Sequence, residues 1–228
     1  MGEQWLVFGG WGIGPKLPRP LFGDNATYVD VNPLMLSLFD NETLLSDWVA
    51  KVERIFEKEL AAANGIAGWS TGAIIASALA LRAEPHKLVL LSATPSFCRR
   101  EGFRSGWKTS VLAAMRERLL TPGNTVLRDF LLTAGLSPEV CESAQYDVNS
   151  LAAGLLFLEQ VNLLPVLAKL RCASMVLNGS EDTIVPVAAG KVLADAVGAR
   201  FVSMPGGHAF FTGPAEIKIN QIVGGMPA

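Results

Sequence analysis

The chain has 228 residues, 50% of them hydrophobic and 18% charged, with a formal net charge of −2; that suffices for one sizeable core and offers no basic excess for holding nucleic acid. No apolar run is long enough to span a bilayer and the N-terminus carries no basic-then-apolar leader, so a soluble cytoplasmic protein is expected. Cys98, Cys141 and Cys172 are an odd number at spacings that match no metal site, which reads as small reduced thiols with neither metal nor cofactor to expect.

Trp5 to Phe8 reads as the first core strand, followed by the loop Gly9-Gly10-Trp11-Gly12-Ile13-Gly14. Its glycines suggest a dinucleotide fingerprint. The spacing is not GxGxxG, no helix clearly follows, and Pro15, Pro18 and Pro20 come next, so that reading is rejected. Tyr28-Val29 is another short strand, ending at Asp30. Gly65-Ile66-Ala67 is a short buried strand and Ala73 to Leu81 a helix rich in small residues, with Gly68-Trp69-Ser70-Thr71-Gly72 between them. A strand that turns straight into a helix strains the serine and brings the residues two before and two after it so close that only small ones fit. Gly68 and Gly72 meet that demand, and the turn reads as a nucleophile elbow; the competing reading is a serine in a glycine-rich turn. The new helix aims its free N–H groups at any oxyanion forming beside Ser70, with the Thr71 N–H as the first donor. A second donor belongs on the loop after the first strand, where the Trp11 N–H sits between glycines that let the backbone turn inward.

Leu88 to Leu91 is the next strand, and His86 lies just before it, at the end of the sheet away from Ser70. From there to a strand at Ser174 to Asn178 the chain is too long for one crossover helix. It reads as a helical insertion over 97–169, with helices at Ser110 to Leu119, Asn124 to Thr133, Pro138 to Tyr146 and Ser150 to Gln160, leaving 1–96 and 170–228 as the core. From Phe97 to Phe130 seven basic residues face three acidic ones, a local +4 against −6 elsewhere. Apolar residues of the insertion, such as Phe97, Phe103, Trp107, Met115, Phe130 and Phe157, are candidates to line a pocket, although for most of them plain core is the favoured reading.

The strand at Ser174 to Asn178 ends in Gly179-Ser180-Glu181-Asp182-Thr183-Ile184-Val185-Pro186, and the strand Arg200 to Ser203 leads to Pro205-Gly206-Gly207-His208-Ala209-Phe210-Phe211. Parallel strands gather functional groups at their carboxyl ends, so His208 is the base expected to reach Ser70. An imidazole that takes a proton needs a carboxylate. Asp182 is favoured, with Glu181 its neighbouring competitor and Asp30 a third candidate. The whole pattern predicts an α/β architecture, helices on both faces of a mostly parallel sheet with an inserted helical cap.

The order Ser70, Asp182, His208, with Gly10-Trp11-Gly12, Gly68-Trp69-Ser70, Ser92-Ala93-Thr94-Pro95-Ser96-Phe97, Val185-Pro186, Gly207-His208-Ala209 and Pro214-Ala215-Glu216, resembles the α/β-hydrolases. Within them it is similar to the BioH-type carboxylesterases of biotin synthesis, which demethylate pimeloyl-acyl-carrier-protein methyl ester. One departure is Gly9, where most relatives have histidine. The resemblance implies the α/β-hydrolase fold, a Ser70–His208–Asp182 triad acting through an acyl-enzyme, an oxyanion hole at Trp11 and Thr71, and a cap over the site. It makes Trp69, Phe97, Phe130, Phe157 and Phe210 candidates for substrate contact. Arg99, Arg100, Arg104 and Arg128 become candidates for docking an acidic acyl-carrier protein. The alternatives are a broad esterase or thioesterase for small free esters, and a non-catalytic binding protein of the same fold.

Overall fold

In chain order the computed structural model, which describes residues 4–212, runs β1 (Trp5–Phe8), α1 (Arg19–Phe22), β2 (Thr27–Val29), a 3-10 stretch (Asn32–Leu38), and a small hairpin of β3 (Phe39–Asp40) and β4 (Thr43–Leu44). Then come α2 (Trp48–Ile55), α3 (Glu57–Ala62), β5 (Gly65–Trp69), α4 (Thr71–Ala83) and β6 (Lys87–Leu91). The insertion carries α5 (Thr109–Leu119), α6 (Val126–Thr133), α7 (Pro138–Ser143) and α8 (Val148–Gln160), and the core resumes with β7 (Ala173–Gly179), α9 (Val187–Val197) and β8 (Arg200–Met204). The segment Pro214-Ala215-Glu216 lies outside the described residues.

Six strands form one sheet in the order β2-β1-β5-β6-β7-β8, every neighbouring pair parallel. Strand alternation divides the core in two. Leu6, Phe8, Ile66, Leu88, Leu90 and Val176 pack with Trp48 of α2, with α4, and with Leu193 of α9. Trp5, Val7, Ala67, Trp69, Val89 and Leu91 pack on the opposite side with Leu21 of α1, Leu131 of α6, Phe210 and Phe211. Helix α4 is buried from Thr71 to Ala80, which is why its sequence is apolar all round rather than striped. Register sets Trp69 beside Leu91 and Leu91 beside Leu177, so the loops after β5, β6, β7 and β8 leave from one edge of the sheet.

The insertion differs from its sequence outline at four helix ends; α5 starts at Thr109, one residue before the expected Ser110, and α6 at Val126, two after the expected Asn124. Helix α8 starts at Val148, two residues before the expected Ser150, because Asp147 is its cap: its carboxylate accepts the Ser150 N–H at 2.8 Å and the Ser150 hydroxyl at 2.9 Å. Helix α7 stops at Ser143, short of the expected Tyr146. The β3–β4 hairpin was not expected at all; it closes through Asn41 and Glu42, both at positive φ, as a two-residue hairpin turn requires.

Candidate active site

Ser70 sits between β5 and α4 at φ 57° and ψ −118°, a conformation that a non-glycine residue rarely holds. The close approach that enforces it is measurable. A Cβ on Gly68 would stand 2.2 Å from the Gly72 carbonyl oxygen, and one on Gly72 would stand 2.3 Å from the oxygens of Phe8 and Gly9. Ser70 N–H donates to the Leu91 carbonyl at 3.0 Å, which ties the turn to the end of the neighbouring strand.

His208 and Asp182 meet. His208 Nδ1 lies 2.9 Å from Asp182 Oδ2, with the side chains 1% and 0% exposed. The other carboxylate oxygen accepts the N–H groups of Ile184 at 2.9 Å and Val185 at 2.8 Å, so the loop itself aims the carboxylate. Glu181 is exposed, and Asp30 is engaged with Asn32 instead. His86 is exposed, immediately before β6, at the far end of the sheet.

The His208 ring stands beside the elbow. Its backbone carbonyl accepts the Trp69 indole N–H at 3.0 Å and the Ser92 hydroxyl at 2.8 Å, and its ring centre lies 5.3 Å from that of Trp69. Among the described residues, the buried Nε2 has no hydrogen-bond partner, Ser70 Oγ included. The Trp11 N–H and the Thr71 N–H likewise donate to no protein acceptor among these residues. The arrangement therefore leaves a hydroxyl, an imidazole nitrogen and two backbone donors uncommitted at one sheet edge.

A cleft of about 220 Å³ opens next to this cluster, lined by Phe97, Trp107, Leu112, Met115, Phe130 and Ile184 among others. Its lining does not reach Ser70. Phe130 is the shared wall, with its ring edge-on to His208 at 6.4 Å between centres. Phe97 and Phe130, expected at a pocket, are thus in the cleft. Phe157 is not: it is fully buried and packs edge-on against Trp48 in the core. Trp69 and Phe210 are also buried away from the cleft, Trp69 holding the His208 carbonyl and Phe210 packed on Phe211. Their aromatic surface supports the histidine loop from beneath.

The expected docking arginines divide in the same way. Arg104 and Arg128 are exposed, and so is Arg99, whose Nε donates to the Gly106 carbonyl at 2.9 Å. Arg100 is committed to the fold, its guanidinium donating to the carbonyls of Glu159 at 2.6 Å, in the last turn of α8, and Val161 at 3.1 Å, at its C-cap.

Three polar residues of the site receive no role from the sequence, although Ser92 opens one of the segments that carry the family resemblance. Ser92, fully buried at φ 46°, holds His208 from the end of β6. Asn178 donates to the Val185 carbonyl at 3.0 Å and steadies the Asp182 loop. Asn32 binds the loop that carries Trp11. The available signal was a polar residue directly after or closing an apolar strand run.

No helix among the described residues is long and apolar enough to cross a membrane. Residues 10–217 match the Alpha/beta hydrolase family. The chain is 26% identical over 212 residues to a pimeloyl-[acyl-carrier protein] methyl ester esterase of Pseudoalteromonas atlantica, covering 82% of this chain and 78% of that one. It is 29% identical to the corresponding esterase of Vibrio campbellii, covering 97% and 93%. Among solved structures, the enol-lactonase of Burkholderia xenovorans superposes with a TM-score of 0.77 at 17% identity over 98% of this chain and 91% of that one. That likeness concerns the fold. With the serine turn, the parallel sheet and a match over residues 10–217, the chain belongs to the alpha/beta hydrolase family.

Proposed function

We propose that the protein is a serine carboxylesterase in which Ser70, His208 and Asp182 form the catalytic triad. The observation that carries this reading is the buried 2.9 Å contact of His208 with Asp182, beside a serine held at φ 57°. His208, held in one tautomer by Asp182, takes the Ser70 proton through Nε2 as the hydroxyl attacks the ester carbonyl. The N–H groups of Thr71 and Trp11 hold the oxyanion, each contributing about 2.7–4 kcal/mol in sites of this kind. The imidazolium protonates the leaving alcohol, and water activated by the same ring releases the acid.

The substrate we infer is an acyl methyl ester, pimeloyl-acyl-carrier-protein methyl ester, on the path to biotin. Two similar proteins carry that activity in their names. The apolar cleft suits a short acyl chain, and exposed Arg99, Arg104 and Arg128 suit an acidic carrier protein. A second reading, hydrolysis of small free esters, is favoured by one observation: Arg100 is consumed by backbone carbonyls, so the basic cluster serves the fold in part.

Turnover of the carrier-protein ester and of p-nitrophenyl butyrate tests both readings. Ser70→Ala should abolish each activity. Arg104→Glu with Arg128→Glu should raise KM at least about tenfold on the carrier-protein ester and leave the small ester unchanged. Equal behaviour on both substrates favours free esters, and no Ser70-dependent turnover of either overturns the esterase.

A further inference from the structure

One side chain holds the backbone on both sides of Trp11. Asn32 Oδ1 accepts the Gly12 N–H at 2.8 Å, and Asn32 Nδ2 donates to the Gly10 carbonyl at 3.4 Å. Asn32 is 0% exposed. Its amide is set in turn by Asp30, whose Oδ1 accepts Asn32 Nδ2 at 2.8 Å and the Asn32 N–H at 2.9 Å. With both halves of the amide engaged, only one orientation satisfies it.

The Gly10 carbonyl and the Trp11 N–H belong to the same peptide plane and, in a trans peptide, point in opposite directions. Fixing the carbonyl therefore aims the N–H. The next peptide is fixed through its own N–H by Asn32 Oδ1, so the two peptide planes that meet at the Trp11 Cα are both held against rotation. Gly12 accepts this geometry at φ +69°, where a Cβ would meet Leu127 at 2.2 Å. The Trp11 side chain is anchored separately, its indole N–H donating to the Leu151 carbonyl of α8 at 2.9 Å.

We propose that Asn32 is a positioning residue for the oxyanion hole: it orients the Trp11 N–H before substrate arrives. This rests on the esterase reading above. A donor that needs no reorganisation stabilises the tetrahedral oxyanion and hardly touches the planar ester, so Asn32 acts on kcat rather than on KM.

The test compares wild type, Asn32→Ala and the isosteric Asn32→Asp, each counted for working sites with a fluorophosphonate. Asn32→Asp, made together with Asp30→Asn so that two carboxylates do not meet, keeps the acceptor for Gly12, lacks the donor for Gly10, and guards against an alanine variant that does not fold. On p-nitrophenyl butyrate both variants should lose roughly 10- to 100-fold in kcat per titrated site, less than the ~10²–10³ lost with a whole donor. KM should stay within about twofold, and a trifluoromethyl ketone that mimics the tetrahedral state should bind more weakly by the same factor as kcat/KM. A lower Tm with unchanged kcat per site and unchanged ketone affinity overturns the proposal. Wild type that neither labels nor turns over removes the esterase reading itself, whereas active wild type with normal variants removes only the role of Asn32.

Discussion

At Gly72 an added Cβ would stand 2.3 Å from the carbonyl oxygens of Phe8 and Gly9, and both are backbone atoms of the first strand and its loop that cannot swing aside. Gly72→Ala should therefore cost at least about 3 kcal/mol, the upper range of overpacking, seen as a fall in the denaturant midpoint with an unchanged m-value. Asp182 predicts a different kind of loss. In Asp182→Asn the amide oxygen can still take the Ile184 and Val185 N–H groups, which turns the NH₂ toward His208 Nδ1 and forces the wrong tautomer. Stability should change little, while kcat on p-nitrophenyl butyrate falls by about 10⁴. The serine turn and the meeting of Asp182 with His208 were legible because each depends on local chemistry at the end of a strand and on chain order. The roles of Ser92 and Asn32 were not, since a serine or asparagine after a strand does not reveal its partner, and that of Ser92 lies 116 residues away. Ser92→Ala removes one of two donors on the buried His208 carbonyl and should cost about 1–2 kcal/mol, measured by the same denaturant titration.

Among the elements, α8 joins the cap to the site. Leu151 accepts the Trp11 indole, and a Cβ on Gly154 would stand 2.5 Å from the same ring, so this helix packs directly on the proposed oxyanion loop. Its start depends on Asp147, whose carboxylate is pulled below its ordinary pKa by the Ser150 N–H and hydroxyl. Asp147→Ala should lower stability by about 1 kcal/mol, read as a drop in Tm. The apolar runs that became β1, β5, β6, β7 and β8 were readable, as were the four cap helices, because period and flanking turns coincide there. The region from Asn32 to Leu44 was not. Its 3-10 stretch follows neither period, and the β3 and β4 strands are two residues each, below the length at which alternation means anything.

For the molecule as a whole, the two tyrosines report on the sheet and the cap separately. Tyr28 lies in β2 and donates to the Gly23 carbonyl at 2.6 Å, and burial pushes its phenol up to about 12. Tyr146 lies between α7 and α8, packed with Trp11 and Phe130 on the cap side of the site; burial first, and then the Asp30 carboxylate, push it higher still. An unfolded chain ionises both near pH 10. The fold holds them neutral, so their contribution to stability is complete below pH 10; the Tyr28 share is lost as the pH rises from about 10 to 12, and the loss of the Tyr146 share continues to higher pH. Absorbance at 295 nm should accordingly show almost no tyrosinate in the native protein at pH 10, one phenol titrating near 12, and the second ionising later or only on unfolding. Asp30→Asn separates the two: it should bring the Tyr146 step down and leave the Tyr28 step in place, because only Tyr146 faces that carboxylate. If the cap were lifted from the core instead of seated on it, Tyr146 would already titrate near 10 in the native protein, and the two steps would appear in the reverse order.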